Sequence, residues 1–177
     1  LPVDIEKVAI EPLSGQHVLG RFVCRSVAIE NFCRRSLAAA NDSYALRAFV
    51  ATHDGDPRIV GYYHLSLSTV SHDQVERGVE DNFLHLDGIP AVYLGMLGVD
   101  RRIERSGVGK LLMTDALARV AAIAHNAGTY ALTLDAIDQD AAGYYEGKFD
   151  FQRFTPGGLK MFLAVPTILA LDLPPPA

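Results

Sequence analysis

The period of apolar and polar positions changes several times along the chain, and each period predicts an element. Lys7 to Ile10 predicts a first strand, and Val27 to Ala40 a helix with Ser26 as its N-cap and Asn41-Asp42 at its end. Ala45 to Ala51 and Arg58 to Val70 are strand-like. The Asp54-Gly55 pair between them is a hairpin turn signal, and Gly61 suggests a bulge in the second strand. Ser71 to Gly88 is polar and mixed, a loop with a short helix. Ala91 to Val99 is apolar on both faces, the pattern of a central buried strand. Over Val108 to Asn126, Leu111, Leu112, Ala116, Leu117, Val120 and Ile123 fall at helical spacing. Tyr130 to Leu134 reads as a strand, Asp138 to Glu146 as a short helix and Leu159 to Val165 as a last strand. The order is an antiparallel front half followed by strand, helix, strand, helix, strand. It predicts a mixed α/β sheet with helices packed on it.

Composition sets the scale. The chain has 177 residues, 49% of them hydrophobic and 21% charged. That is one globular domain with a real core, expected over residues 1–171 with a frayed Pro-rich tail over 172–177. No run of about 18 apolar residues suggests a membrane span. The opening LPVDIEKVAIEP lacks the basic-then-apolar pattern of a secretory leader. Cys24 and Cys33 form no CxxC or zinc pattern. If both lay on one helix, nine residues would put them on roughly opposite faces; they read as reduced thiols of a cytosolic protein. The formal net charge of −5 argues against a broad nucleic-acid surface. A local patch remains: Arg21, Arg25, Arg34 and Arg35 cluster around the first helix with Glu30 the only acid among them. His17, His53, His72, His85 and His125 show no metal-ligand spacing, so no metal is implied.

The chemistry points to Gly98–Leu117. A predicted strand ends, a loop carries Gly107 and Gly109, and a helix begins. A helix N-terminus offers free N–H groups and partial positive charge to an anion, and glycines let the backbone approach closely. Arg101, Arg102, Arg105 and Lys110 surround this loop, offset by Asp100 and Glu104. Two phosphate motifs fail. A Walker A loop needs glycine at position 104 and Ser or Thr at 111, and a dinucleotide fingerprint needs a third glycine at 112. What remains is V-D-x-x-x-x-x-x-G-x-G ahead of an amphipathic helix, followed by LDAIDQDAAGYYEGKFDF with its paired tyrosines.

These two stretches together resemble the GNAT superfamily of N-acetyltransferases, over roughly Tyr93 to Phe162. The GNAT patterns are V-D-x-x-x-[QR]-G-x-G-x-[GA], which holds the pyrophosphate of coenzyme A, and A-x-x-F-Y-x-x-x-G-F. A narrower resemblance, in GYYHLS, LGMLGVD and DAIDQDAAGYY, is to the acetyltransferase toxins of bacterial toxin–antitoxin pairs. The resemblance implies a GNAT fold: a mainly antiparallel mixed sheet with helices on both faces and a splayed central strand. It implies acetyl-CoA held by Leu97, Gly98, Val99, Arg105, Ser106, Gly107, Val108, Gly109 and Lys110, with Gly98 removing a side chain from the approach. It implies an acceptor such as the α-amine of aminoacyl-tRNA, a ribbon–helix–helix antitoxin as partner, and a homodimer in the cytoplasm.

The departures are specific. Glu104 stands at the Gln/Arg position, Arg105 and Asp150 at glycine positions, and Met96 at an arginine of the toxin pattern. One extra residue separates Tyr145 from Phe151, so either tyrosine fits the catalytic place; Ala141, four residues earlier, favours Tyr145. A tyrosine of pKa about 10 can protonate a departing thiolate of pKa about 8.5. The base is open between His64, which also reads as a structural histidine, Tyr93, and none at all, because an α-amine has a pKa of only about 8. The arginine patch reads equally as a contact for tRNA phosphates or as a solvated helix face. Besides aminoacyl-tRNA acetylation, two readings stay open: acetylation of a small amine, peptide or protein N-terminus, and a degenerate acetyl-CoA-binding protein without turnover.

Overall fold

The computed structural model describes residues 3–76 and 78–176. Leu1, Pro2, Arg77 and Ala177, which fall within the leader, loop and tail readings, lie outside the described residues. The strands are β1 (Val8–Pro12), β2 (Arg47–His53), β3 (Asp56–Val70), β4 (Ile89–Val99), β5 (Ala131–Asp135), β6 (Gln152–Arg153) and β7 (Lys160–Ala164). The helices are α1 (Val27–Arg35), α2 (Leu37–Asp42), α3 (Val108–Ala127), α4 (Gln139–Phe149) and α5 (Val165–Leu169). The sheet order is β1-β2-β3-β4-β5-β7-β6. β4 and β5 run parallel, whereas β1–β2, β2–β3, β5–β7 and β6–β7 are antiparallel. The chain divides into two compact units, one of residues up to Ser66 with Leu94–Ala118, the other of Leu67–Tyr93 with Arg119–Asp172.

In the first unit the β2–β3 hairpin turns at Asp54 (φ 55°) and Gly55 (φ 75°), the left-handed pair that an Asp-Gly hairpin turn requires. Pairing is regular from Arg47 opposite Leu65 to Ala51 opposite Gly61. It then slips, so that Thr52 meets Ile59, and the bulge sits beside Gly61. Gly61 has a further use: a Cβ there would stand 2.9 Å from a methyl of Leu112, so its absence lets α3 lie close. The two-residue period of β3 divides its neighbours. Gly61 and Tyr63 meet α3, Tyr63 donating to Asp115 at 2.5 Å, while Tyr62 and His64 meet α1 through the Ile29 carbonyl and the Phe32 ring. Helices therefore cover both faces of this strand. Phe22, Leu37, Val50 and Tyr62 form the centre of the core beside α1 and α2.

The expected helix from Val27 to Ala40 is two helices. Ser26 caps α1, its hydroxyl accepting from the Ile29 amide, and such a cap is worth about 1 kcal/mol. At Ser36 (φ −125°, ψ −27°) the axis breaks. The pattern hid the break because buried Cys33 and Leu37, four residues apart, fit a continuous helix equally well. Cys24 precedes α1, so the two thiols do not share a helix. Both are free.

In the second unit β4 pairs with β5 from Ala91 opposite Ala131 to Tyr93 opposite Thr133, and β5 continues against β7. Val70, Ile89 and Ala91 centre a smaller core with Phe83, Tyr130 and Phe154. The last strand ends at Ala164, and Val165–Leu169 turns into a helix with proline in its first turn, where its missing N–H costs nothing. Among the described residues no helix is long and apolar enough to cross a membrane, and no group of His, Cys, Asp or Glu could hold a metal ion.

Candidate active site

The loop between β4 and α3 is fixed from its first residue. Asp100, 1% exposed, accepts from the Val23 amide at 3.2 Å and the Arg102 amide at 3.0 Å. The Arg102 guanidinium adds two bonds to the same carboxylate, at 2.8 and 2.6 Å, and reaches the Arg21 carbonyl at 3.1 Å. Burial alone would raise the Asp100 pKa, but the bonds from Arg102 and Val23 outweigh it and hold the carboxyl below its ordinary range. Arg102 therefore fastens the loop to segment 21–23. Farther along, Arg105 (φ 62°) and Gly107 (φ 96°) are left-handed. The glycine position of the GNAT pattern thus keeps its backbone shape with an arginine in it. Leu111 donates to the Gly107 carbonyl at 3.1 Å, closing the first turn of α3. The amides of Val108, Gly109 and Lys110 come before any carbonyl of that helix that could accept them, which is the arrangement that receives an anion. Arg105 and Lys110 are exposed beside them. The Ser106 hydroxyl oxygen is buried with no hydrogen-bond partner. Glu104, the acid at the Gln/Arg position of the GNAT pattern, is paired with Arg25 at 2.7 Å. These residues fit a pyrophosphate.

The strand ahead of the loop is distorted at Met96 (φ 48°). Cβ atoms built on Gly95 and Gly98 both point to the α1 side: the first would meet the His64 ring at 2.2 Å, the second Ile29 at 2.6 Å and Phe22 at 3.4 Å. Residues three apart in a regular strand face opposite ways, so one residue has been inserted by a bulge at Met96. Such a bulge leaves the extra residue unpaired and disrupts the ladder locally. The missing side chain of Gly98 makes room for α1, rather than for an approaching cofactor as the sequence suggested. His64, 7% exposed, has no partner for Nδ1, and burial pushes its pKa down to about 4. It is neutral at physiological pH and too weak a base to take a proton from an ammonium of pKa about 8.

In the second unit Asp138 caps α4 through the Ala141 amide at 2.7 Å. The helix runs to Phe149, three residues past the predicted end, and closes at Asp150 (φ 60°), the left-handed C-terminal place that glycine holds in the GNAT pattern. Tyr144 is 47% exposed. Tyr145 is half-buried, its ring 5.9 Å from that of Phe151; burial, and after it Tyr144, holds its pKa above the ordinary value. Arg153 locks the helix that carries it: Nε and Nη2 grip Glu146 at 2.7 and 3.0 Å, and Nη1 reaches Gln139 at 2.6 Å and the Gly158 carbonyl at 2.9 Å. Sequence reading missed this clamp, since no motif links positions 139, 146 and 153. Tyr93 donates to Asp135 at 3.1 Å, and burial together with that carboxylate raises its pKa, which disfavours its ionised, basic form.

Comparison with known proteins fits this geometry. The model of the Acetyltransferase (GNAT) family matches residues 24–151. The chain belongs to the GNAT acetyltransferase family. A protein of Sinorhizobium fredii named Probable toxin TacT is 32% identical over 93% of this chain and 95% of its own length. A Mycobacterium tuberculosis protein named tRNA-acetylating toxin is 29% identical over 81% of this chain and 84% of its own. Among solved structures, a mutant of the toxin AtaT bound to the C-terminus of the antitoxin AtaR and acetyl-CoA shares the fold. Its TM-score is 0.77 at 24% identity, covering 93% of this chain and 97% of that one.

On this GNAT chain the arginine patch is half committed. Arg34 donates to the Phe22 carbonyl at 2.7 Å and pairs with Glu30 at 3.0 Å, and Arg25 pairs with Glu104. Arg21 and Arg35 are exposed. Burial raises the pKa of the Cys24 thiol nearby and pushes that of Cys33 up to about 12, which keeps both protonated at neutral pH.

Proposed function

We propose that this protein transfers the acetyl group of acetyl-CoA to the α-amine of aminoacyl-tRNA, as the toxin of a toxin–antitoxin pair acting in the cytoplasm. The observation that carries the donor half is the loop, where left-handed Arg105 and Gly107 turn the backbone into the open N-terminal amides of α3, with Lys110 exposed beside them. The acceptor half is supported by near-full-length likeness to proteins named as toxins, one of them tRNA-acetylating. The Arg25–Glu104 pair and the left-handed backbone of Arg105 support coenzyme binding over a degenerate fold.

Each residue then has a role. Arg105, Ser106, Gly107, Val108, Gly109 and Lys110 hold the pyrophosphate. Acetyl-CoA supplies an acyl thioester whose oxygen gains charge when an amine attacks. The backbone N–H groups of Leu97, Gly98 and Val99, beside the Met96 bulge, stabilise that charge. Tyr145 donates a proton to the departing thiolate, and its raised pKa keeps that proton in place at neutral pH. The acceptor α-amine, with a pKa of about 8, is partly uncharged at neutral pH and needs no strong base. That suits a site whose His64 is a weak base and whose Tyr93 is engaged with Asp135. A ribbon–helix–helix antitoxin is the partner that goes with this reading.

The test uses labelled acetyl-CoA with a tRNA pool, charged in one sample and stripped in the other, with thiol release followed in both. Label and thiol release with charged tRNA alone support the reading. Thiol release with small amines or peptides and none with charged tRNA replaces the acceptor.

A further inference from the structure

We infer that Arg25 is a positioning residue of the coenzyme site, acting through Glu104. The inference rests on the acetyl-CoA reading above and adds a residue that no pattern for the loop contains. Glu104 stands next to left-handed Arg105, at the point where the loop turns toward α3. An uncovered carboxylate there would face the anion that the loop is shaped for. Instead the Arg25 guanidinium holds it at 2.7 Å, with the Glu104 side chain 24% exposed and that of Arg25 74% exposed.

The pair does not stand alone. Segment 21–25 and loop 100–104 are joined by the Val23 amide on Asp100, the Arg101 amide on the Val23 carbonyl, and Arg102 on the Arg21 carbonyl. On the other side of Arg25, Ser26 caps α1, and Glu30 receives the Cys24 amide at 3.0 Å. Arg25 is thus carried on a backbone already fixed against the loop, which sets its guanidinium within reach of Glu104. The effect on a bound anion follows from charge. With Arg25 present, residues 104 and 105 and the partner of Glu104 sum to a net positive charge beside the α3 N-terminus. Without it, Glu104 cancels Arg105.

Isothermal titration of acetyl-CoA into wild type, Arg25→Ala, Glu104→Gln and the Arg25→Ala/Glu104→Gln double variant tests this. Arg25→Ala is expected to weaken binding about tenfold at low salt, with the loss shrinking as salt is raised. Glu104→Gln is expected to bind at least as well as wild type. The double variant is expected to bind within about twofold of wild type, because the harm in Arg25→Ala is the exposed carboxylate, not a lost contact. Equal weakness of Arg25→Ala and the double variant would overturn the inference and make Arg25 a direct coenzyme contact. Unchanged binding in Arg25→Ala would also overturn it. If wild type itself takes up no acetyl-CoA, the reading beneath it fails, and the inference falls with it.

Discussion

The His64 ring lies directly over Gly95. A Cβ built on Gly95 would stand 2.2 Å from the ring, inside any real contact distance. One strand of the first unit thus presses a buried imidazole onto the bare backbone of the strand that carries the Met96 bulge.

Gly95→Ala should therefore destabilise the fold by about 1–3 kcal/mol, the usual cost of forcing atoms into a packed core. The ring is buried and packs on Phe32, so moving it disturbs the core. Combining it with His64→Ala should recover part of that loss, giving a favourable coupling in a double-mutant cycle measured by urea unfolding. Strict additivity would mean that the two groups do not meet.

The same histidine makes stability depend on mild acid. Its folded pKa, about 4, lies below the ordinary 6.5 because burial disfavours the charged ring. The unfolded chain therefore binds the proton more readily. The stabilisation is complete above about pH 6.5 and is lost as pH falls toward 4, up to about 3 kcal/mol in all. His64→Gln should flatten the stability profile over that window, as read by denaturant midpoints at successive pH values.

Tyr145→Phe should leave acetyl-CoA affinity within about twofold and lower turnover by about a hundredfold or more, in the range for loss of a general acid. Because burial raises the Tyr145 pKa, the alkaline fall in turnover of the wild type should begin at a higher pH than an ordinary tyrosine would give. If turnover falls far below that pH, or persists in the phenylalanine variant, the acid is elsewhere, with exposed Tyr144 the next residue to change.

Arg105 occupies a left-handed conformation that costs a residue with a Cβ on the order of 1 kcal/mol. Arg105→Gly relieves that strain but loosens the unfolded chain, so the net gain should be small, roughly 0–1 kcal/mol and about 0–3 °C in Tm. Acetyl-CoA binding should nonetheless weaken, because a cation leaves the loop. A variant that binds more tightly would show that backbone strain, not charge, governs this position.

Reversing Arg21 and Arg35 to Glu should lower activity on charged tRNA and reduce its salt dependence without loss of stability. Arg34→Glu should instead lower stability, since Arg34 holds the Phe22 carbonyl and Glu30. Kinetics over a salt series, beside thermal unfolding, separate the two effects.

Much of this was legible in the residues. The Asp54-Gly55 turn, the Ser26 cap and the long α3 carry strong local signals, and the structure keeps each. The GNAT motifs located the loop and the tyrosine pair. What stayed hidden depends on partners far away in sequence. Which group covers Glu104 shows only in the fold, where it is Arg25, and Gly98 looked like room for a ligand until Ile29 filled the space. Arg105 and Asp150 looked like lost glycines, yet both keep the backbone shape that glycine would supply, because φ is set by the turn and not by the residue alone.

The bonds that tie the coenzyme loop to the chain's early segment span 77 positions from Val23 to Asp100 and 81 from Arg21 to Arg102. At a synthesis rate of about 5–20 residues per second, roughly 4–15 s separate the two halves of that clasp during translation. The helix that begins at Val27 can form early, but the cradle beside it waits for sequence made much later. A truncation that removed residues 21–25 would accordingly unfasten the coenzyme loop, although the loop's own residues would all be intact.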